Sequence, residues 1–307
     1  MTLFQNRFRW ISPLVCSVLC LAAGCSSGKK IDPNQRVYVG YYQLDHNVQL
    51  DPKQFKNAKM VRPHVVEWAA DFASEFPKPQ VVAFQKLNIV PMISWEPRIW
   101  NDPDKVISLE SIAKGEWDPY LKSWATQIRQ VELPVLITFA AEFNSEDYPW
   151  GIPNNKQDGH SYVEAYRHVV ALFRTEGVSN AIFVWTILPV SSPKVAWNEP
   201  LAYYPGDEYV DWIGVAAVNQ QSDMKTMFGE MLTNLATNHP QKPVMITRYY
   251  FEPNKKSNAA VVTELQQDLT TVKAIIFSNP KTLKIDPIFF KQPLFQASVD
   301  EFAYLHL

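Results

Sequence analysis

Eight short apolar runs, most of them followed by a stretch of helical periodicity, limit the folds open to this 307-residue chain more than any other feature. The runs cover residues 37–42, 60–66, 89–95, 134–140, 181–187, 210–218, 243–249 and 272–277. They are rich in Val, Ile and aromatic residues and are apolar throughout instead of alternating. Strands buried on both faces, as in parallel sheets, read this way. The segments between them carry helix signals. Asp118-Pro119 reads as an N-cap with proline in the first turn, followed by a stripe of Leu121, Trp124, Ala125 and Ile128. Ser161 with Glu164 reads as a capping box, Tyr162, Tyr166, Val169, Val170 and Phe173 form the apolar face, and Gly177 is the stop. Phe228, Met231, Leu232 and Leu235 form a third such face.

Strand-helix alternation repeated eight times spells an α/β fold, a single-domain (β/α)8 TIM barrel. An open doubly wound sheet shares the alternation, but it usually carries a glycine-rich first turn. This chain has only 10 glycines and neither a GxGxxG nor a GxxxxGK motif. No inter-domain linker or internal repeat interrupts residues 36–307, which are expected to form the barrel.

The first 24 residues read as an export signal. Arg7 and Arg9 supply a positive start, and the apolar segment 11–21 is too short to span a bilayer. The sequence Leu21-Ala22-Ala23-Gly24-Cys25 resembles a bacterial lipobox, which implies acylation of Cys25 and a stable membrane anchor. Residues 25–35 would then be a lipid-anchored tether. Ser26, where inner-membrane retention commonly uses Asp, implies an outer-membrane, periplasm-facing address, with surface display the alternative. Cys16 and Cys20 fall in the removed segment, so neither a disulfide framework nor a cysteine-based zinc site is expected.

Charge excludes further classes. With 29 basic residues against 31 acidic ones the chain has no positive excess to displace counterions from a nucleic acid, so no such partner is expected. The six histidines lack ligand spacing, so no metal is expected; no cofactor is expected either, and without a GxSxG elbow or a free cysteine neither a serine nor a thiol nucleophile is.

In a barrel of this kind the chemistry lies where strands end and βα loops begin. The ends read Tyr41-Tyr42, Ser94-Trp95-Glu96, Ala141-Glu142-Phe143-Asn144, Trp185, Val218-Asn219 and Arg248-Tyr249-Tyr250. Aromatic faces suit the C–H faces of sugar rings, and carboxylates and amides suit hydroxyls. Ten tryptophans in one domain strengthen the reading of a carbohydrate cleft. Its expected lining is Trp95, Glu96, Asn144, Tyr148, Trp150, Trp185, Asn219 and Tyr249. Glu142, followed by Asn144 and walled by Tyr148-Pro149-Trp150-Gly151, is the residue best placed to protonate a glycosidic oxygen.

Several stretches together resemble glycoside hydrolase family 26, the β-mannanase-like barrels. They are ISWEP at 93–97, FAAEFN with YPWG across 139–151, and YVEAYRHVVALFR at 162–174. To these add VW at 184–185, YYPGDEYVDWIGV at 203–215 and KPVMIT at 242–247. The resemblance implies a retaining mechanism with two glutamates. The acid/base maps onto Glu142, whereas the nucleophile position, directly after KPVMIT, is Arg248. A guanidinium cannot form a glycosyl ester. After strand six the family pattern Gly-Val-Asp-x-Tyr-Asn is Gly214-Val215-Ala216-Ala217-Val218-Asn219 here, without the tyrosine that supports the nucleophile.

The resemblance with its losses implies a lipid-anchored, polysaccharide-binding pseudoglycosidase. Arg248 in the cleft floor would favour an acidic sugar. The alternative is an active endo-glycosidase on a β-mannan-like or acidic exopolysaccharide. Glu142 would be its acid/base and Glu252, on the same loop as Arg248, a displaced base at the wider carboxyl spacing of about 6.5–9.5 Å that inversion needs. A third reading is a structural envelope lipoprotein.

Overall fold

The computed structural model describes residues 37–43, 50–56, 62–102, 105, 107–131, 133–216, 223–249, 263–265 and 269–278. The expected export segment, Cys25 and the expected tether, together with Asn219 and Glu252, lie outside the described residues.

The eight strands are β1 (Tyr38–Gln43), β2 (Val65–Asp71), β3 (Val90–Glu96), β4 (Val135–Phe139), β5 (Ala181–Ile187), β6 (Trp212–Ala216), β7 (Val244–Tyr249) and β8 (Val272–Phe277). Each pairs in parallel with its sequence neighbours, and β1 closes on β8 through Tyr38 opposite Ala274. The described helices are α1 (Lys78–Gln85), α2 (Leu109–Ala113), α3 (Asp118–Ile128), α4 (Gly159–Thr175) and α5 (Met224–Asn238). The fold is the single-domain (β/α)8 barrel expected from the alternation.

Two apolar cores follow from the period-2 geometry of strands. Val65, Val90, Met92, Leu136, Val184 and Met245 point inward and meet inside the barrel. Their strand neighbours point outward against the helices, where Trp95 stacks on Trp124 of α3 with ring centroids 4.3 Å apart. Both faces are dry, so the strands read as continuous apolar runs. The inward columns become polar toward the mouth. In β3, Val90 and Met92 are followed by Ser94 and Glu96, and in β4 Leu136 is followed by Thr138, whose hydroxyl lies 2.8 Å from that of Thr186 in β5. Gly214 of β6 faces this hydroxyl layer because an added Cβ would lie 2.6 Å from Thr186 Oγ1.

Three local expectations need correction. The second strand starts at Val65, not at residue 60, and continues through Glu67 to Asp71. A carboxylate in mid-strand interrupts the apolar run and hid its second half. Helix α4 is capped by Asp158, which accepts from the backbone N–H groups of His160 and Ser161, and not by Ser161. Helix α3 takes Trp117 as its cap residue, while Asp118 opens the first turn and bonds His168 Nε2 at 2.6 Å. Gly177 does stop α4, with a φ of 71°.

Candidate active site

The mouth is built around Arg248, which enters it through an irregularity in β7. Ile246 pairs with Ile275 and Tyr249 with Phe277, so three steps along β7 match two along β8. The extra residue is a β-bulge, which re-aims a side chain without breaking the sheet. Ile246 and Tyr249 both belong to the outer core, which leaves Thr247 and Arg248 to share the inward side. Arg248 adopts a φ of 55°, and Ser278 Oγ donates to its carbonyl at 3.0 Å.

From β7 the Arg248 side chain crosses to the opposite wall. Its Nη1 donates to Glu142 Oε1 and, at 3.1 Å, to the Tyr148 hydroxyl. Its Nη2 donates to Ser94 Oγ at 2.6 Å. Its Nε faces Glu67 Oε1 at 3.6 Å, an ion-pair distance too long for a hydrogen bond. The Tyr42 ring lies under the guanidinium, 4.9 Å from Cζ to the centroid. One cation thus joins groups from β1, β2, β3 and the loop after β4.

Glu142 sits on that loop in a strained backbone. Ala140 and Glu142 have φ values of 47° and 57°, in the left-handed region that costs a non-glycine residue about 1–3 kcal/mol. The strain is held by Ala140 N–H donating to Trp95 O at 3.0 Å and Glu142 N–H donating to Thr186 O at 2.8 Å. Strained residues collect at functional sites, where the surrounding frame over-determines them.

Electrostatics divide the carboxylates. Glu67 is 1% exposed, and burial pushes its carboxyl up to about 7 against the pull of Arg248, with Glu142 and Glu96 adding to the rise. Arg248 stays charged. Burial opposes its cation, but Tyr42, Glu142, Tyr148 and Glu67 around it outweigh that and hold its pKa well above the usual value. Burial raises the Tyr42 phenol to about 12 and lifts that of Tyr148 as well. Glu96 is committed elsewhere: its Oε2 accepts from Arg98 Nε and Nη2 and from Trp100 Nε1 at 2.7, 2.6 and 3.1 Å.

Of the residues expected from sequence, Glu142, Tyr148 and Arg248 come together, with Trp150 and Glu96 beside them. Trp150 lies behind Tyr148, stacked at 4.7 Å, with Arg98 over its ring and its Nε1 donating to Ala141 O at 2.8 Å. Trp95, Trp185 and Tyr249 do not line the mouth. Each alternates with inward residues and faces the helix layer, where Trp185 packs on Phe143 and Tyr204 and Tyr249 on Phe277. Asn144 is buried and spent on the frame: Nδ2 donates to Leu188 O and Ser191 Oγ, and Oδ1 accepts from Leu188 N–H. Arg248 does not offer a free fork to an acidic sugar either, since Glu142, Tyr148 and Ser94 already occupy both of its terminal nitrogens. Sequence reasoning missed Glu67, Ser94 and Tyr42 as partners of this arginine. Carrying strict alternation upward from Val65 and Val90 would have pointed to the first two.

The fold and site are those of a parallel eight-stranded barrel with carboxylates gathered at the carboxyl ends of its strands. The sequence profile of Glycosyl hydrolase family 26 matches residues 100–267, and the chain belongs to that family. It is 25% identical over 218 residues to Endoglucanase H of Acetivibrio thermocellus, covering 67% of this chain and 23% of that protein. It is 22% identical over 169 residues to a β-1,3-xylanase of Alcaligenes sp., covering 52% of this chain and 34% of that protein. The aligned parts are thus about a quarter and about a third of these relatives. In structure it resembles a family 26 β-mannanase from Bacteroides ovatus, with a TM-score of 0.63 at 14% identity over 89% of this chain and 93% of that one. A modular endo-β-1,4-mannanase from Cellulomonas fimi gives a TM-score of 0.61 at 16% identity over 87% and 72%.

Proposed function

We propose that this family 26 barrel binds a polysaccharide at its mouth without hydrolysing it, and that acylated Cys25 tethers it in the cell envelope. In this reading residues 1–24 are removed, 25–35 are the tether and 36–307 the barrel, facing the periplasm from the outer membrane. The observation that carries it is the engagement of Glu142 by Arg248. A general acid must deliver a proton, and a retaining glycosidase needs a second carboxylate about 5–5.5 Å away to take the sugar. Arg248 stands at the position that resemblance assigns to that second group, and its N–H occupies an oxygen of the first.

The charge balance supports a neutral glycan. Among the described residues Arg248 and Arg98 are already paired with Glu67, Glu142 and Glu96, so the mouth offers a uronic acid no spare cation there. Hydroxyl-rich sugars can pack on the half-buried Tyr148 ring beside the arginine network without adding a charge to it. The mannanase, endoglucanase and xylanase activities named for the similar proteins also act on neutral chains.

The test is product release from β-mannan, β-glucan, xylan and uronic-acid polysaccharides, with binding measured on the same panel. Binding without release, weakened by Glu142→Gln, is the expected outcome. Release that disappears in Glu142→Gln would overturn the non-hydrolysing reading and turn the search for a base to Glu252.

A further inference from the structure

Opposite the mouth, at the foot of β7 and β8, lies a cleft of about 460 Å³. Leu235, Pro243 and Val244 give it an apolar wall, while His239, Lys242 and Lys273 line the remainder with Thr270 and Thr271, and no carboxylate lines it. The Lys242 ammonium donates to the carbonyls of Asp207 and Val210, both at 2.7 Å, which fixes it in place. His239 is held behind it, its ring 3.9 Å from that of Tyr204 and its Nδ1 3.5 Å from Asp207 Oδ1. Lys273 is half-buried and forms no ion pair among the described residues. Two lysine charges therefore share one partly apolar cleft whose lining holds no carboxylate, with the Asp207 carboxylate near Lys242 and His239 but outside that lining, which suits a phosphate carried on an amphiphile.

The path of the chain says which amphiphile. Tyr38, the first residue of β1, pairs with Ala274, the residue after Lys273. The polypeptide therefore enters the barrel beside this cleft. Cys25 lies 12 residues before Val37, and a fully extended chain of that length spans at most about 40 Å. A lipid on Cys25 would hold the foot of the barrel, not its mouth, close to the bilayer surface.

We propose that this cleft seats the phosphate of an anionic phospholipid headgroup and docks the barrel foot-down on its own membrane, leaving the mouth directed away from the bilayer. The placement rests on the lipid-anchor reading above, whereas the chemistry of the cleft does not. A basic side chain held at an anionic surface gains from the local potential, and the gain is screened by salt.

The test uses the full chain in vesicles of phosphatidylcholine, with and without phosphatidylglycerol. Amine labelling of Lys242 and Lys273 is read by mass spectrometry, and the exposed Lys122 of α3 serves as the internal reference. Labelling of both cleft lysines is expected to fall about fivefold with phosphatidylglycerol, the worth of one lysine at an anionic surface. It should recover in high salt, and Lys122 should not change. Equal protection in phosphatidylcholine alone would overturn the proposal and point to the chain's own tether as occupant. Protection by inorganic phosphate but not by phosphatidylglycerol would overturn it in favour of a free anion. Failure to float with phosphatidylcholine vesicles would remove the anchor reading alone. The cleft would then be judged by flotation with phosphatidylglycerol vesicles, which Lys273→Gln must abolish for the proposal to stand.

Discussion

The floor and the mouth of the barrel are built from the same strands by the same alternation, yet they obey different physics. At the floor Val65, Val90, Met92, Leu136 and Val184 meet as apolar groups that need only to fill volume. Two residues further along those strands, at the mouth, Glu67, Ser94, Thr138 and Thr186 are buried polar groups whose partners must be supplied individually. Among the described residues neither oxygen of Glu67 has a hydrogen-bond partner, nor does Arg248 Nε. The floor is therefore the source of stability, and the mouth is where stability has been given up for polar chemistry.

The comparison is broken most severely by Arg248→Met. Two buried carboxylates then lose their shared cation, which costs about 3–5 kcal/mol at neutral pH. Chemical denaturation should show the loss shrinking as pH falls below about 7, where the Glu67 carboxyl takes up its proton. Met92→Ala in the floor should cost about 2–5 kcal/mol by creating a cavity. Its loss should be the same at every pH, because no titrating group is involved; a pH-dependent loss would mean that floor and mouth are coupled.

Glu67→Gln sharpens the contrast from the other side. The Glu67 carboxyl is raised from 4.5 to about 7 on folding. Between those values the folded state binds more protons than the unfolded one, so stability falls as pH rises and the penalty is complete above about 7. Gln abolishes that penalty. The variant should be more stable than the parent at pH 8 by up to roughly 3 kcal/mol, equal to it near pH 4, and flatter in between. A variant less stable at pH 8 would mean that Glu67 is an essential counter-ion of Arg248. The smallest effect is expected from Gly214→Ala, about 1–3 kcal/mol, since its methyl group would crowd Thr186 and Thr247. Thermal melts should register it without any shift in pH profile.

The alternation of elements was legible because helices and doubly buried strands have different periods. Glu142 was legible because a carboxylate directly after a buried strand is chemically conspicuous. Which way each aromatic faces was not. In a strand buried on both sides, Trp95 is as apolar as the inward Met92, so hydrophobicity carries no information about parity. Glu67 was missed for the converse reason: its polarity ended the apolar run in the reading, although its strand continues for four more residues. The inward turn of Arg248 depends on a bulge that shows only when β7 is matched against β8.

That bulge also bears on how such a molecule changes over generations. The extra residue stands outside the ladder, and its carbonyl is held by a serine side chain rather than by the adjoining strand. Residue 248 works like the removable bit of a tool whose handle is the barrel. A single codon there can exchange a carboxylate for a guanidinium while every strand keeps its register. The side chain presented at this point of the mouth can in this sense change while the scaffold that presents it stays the same.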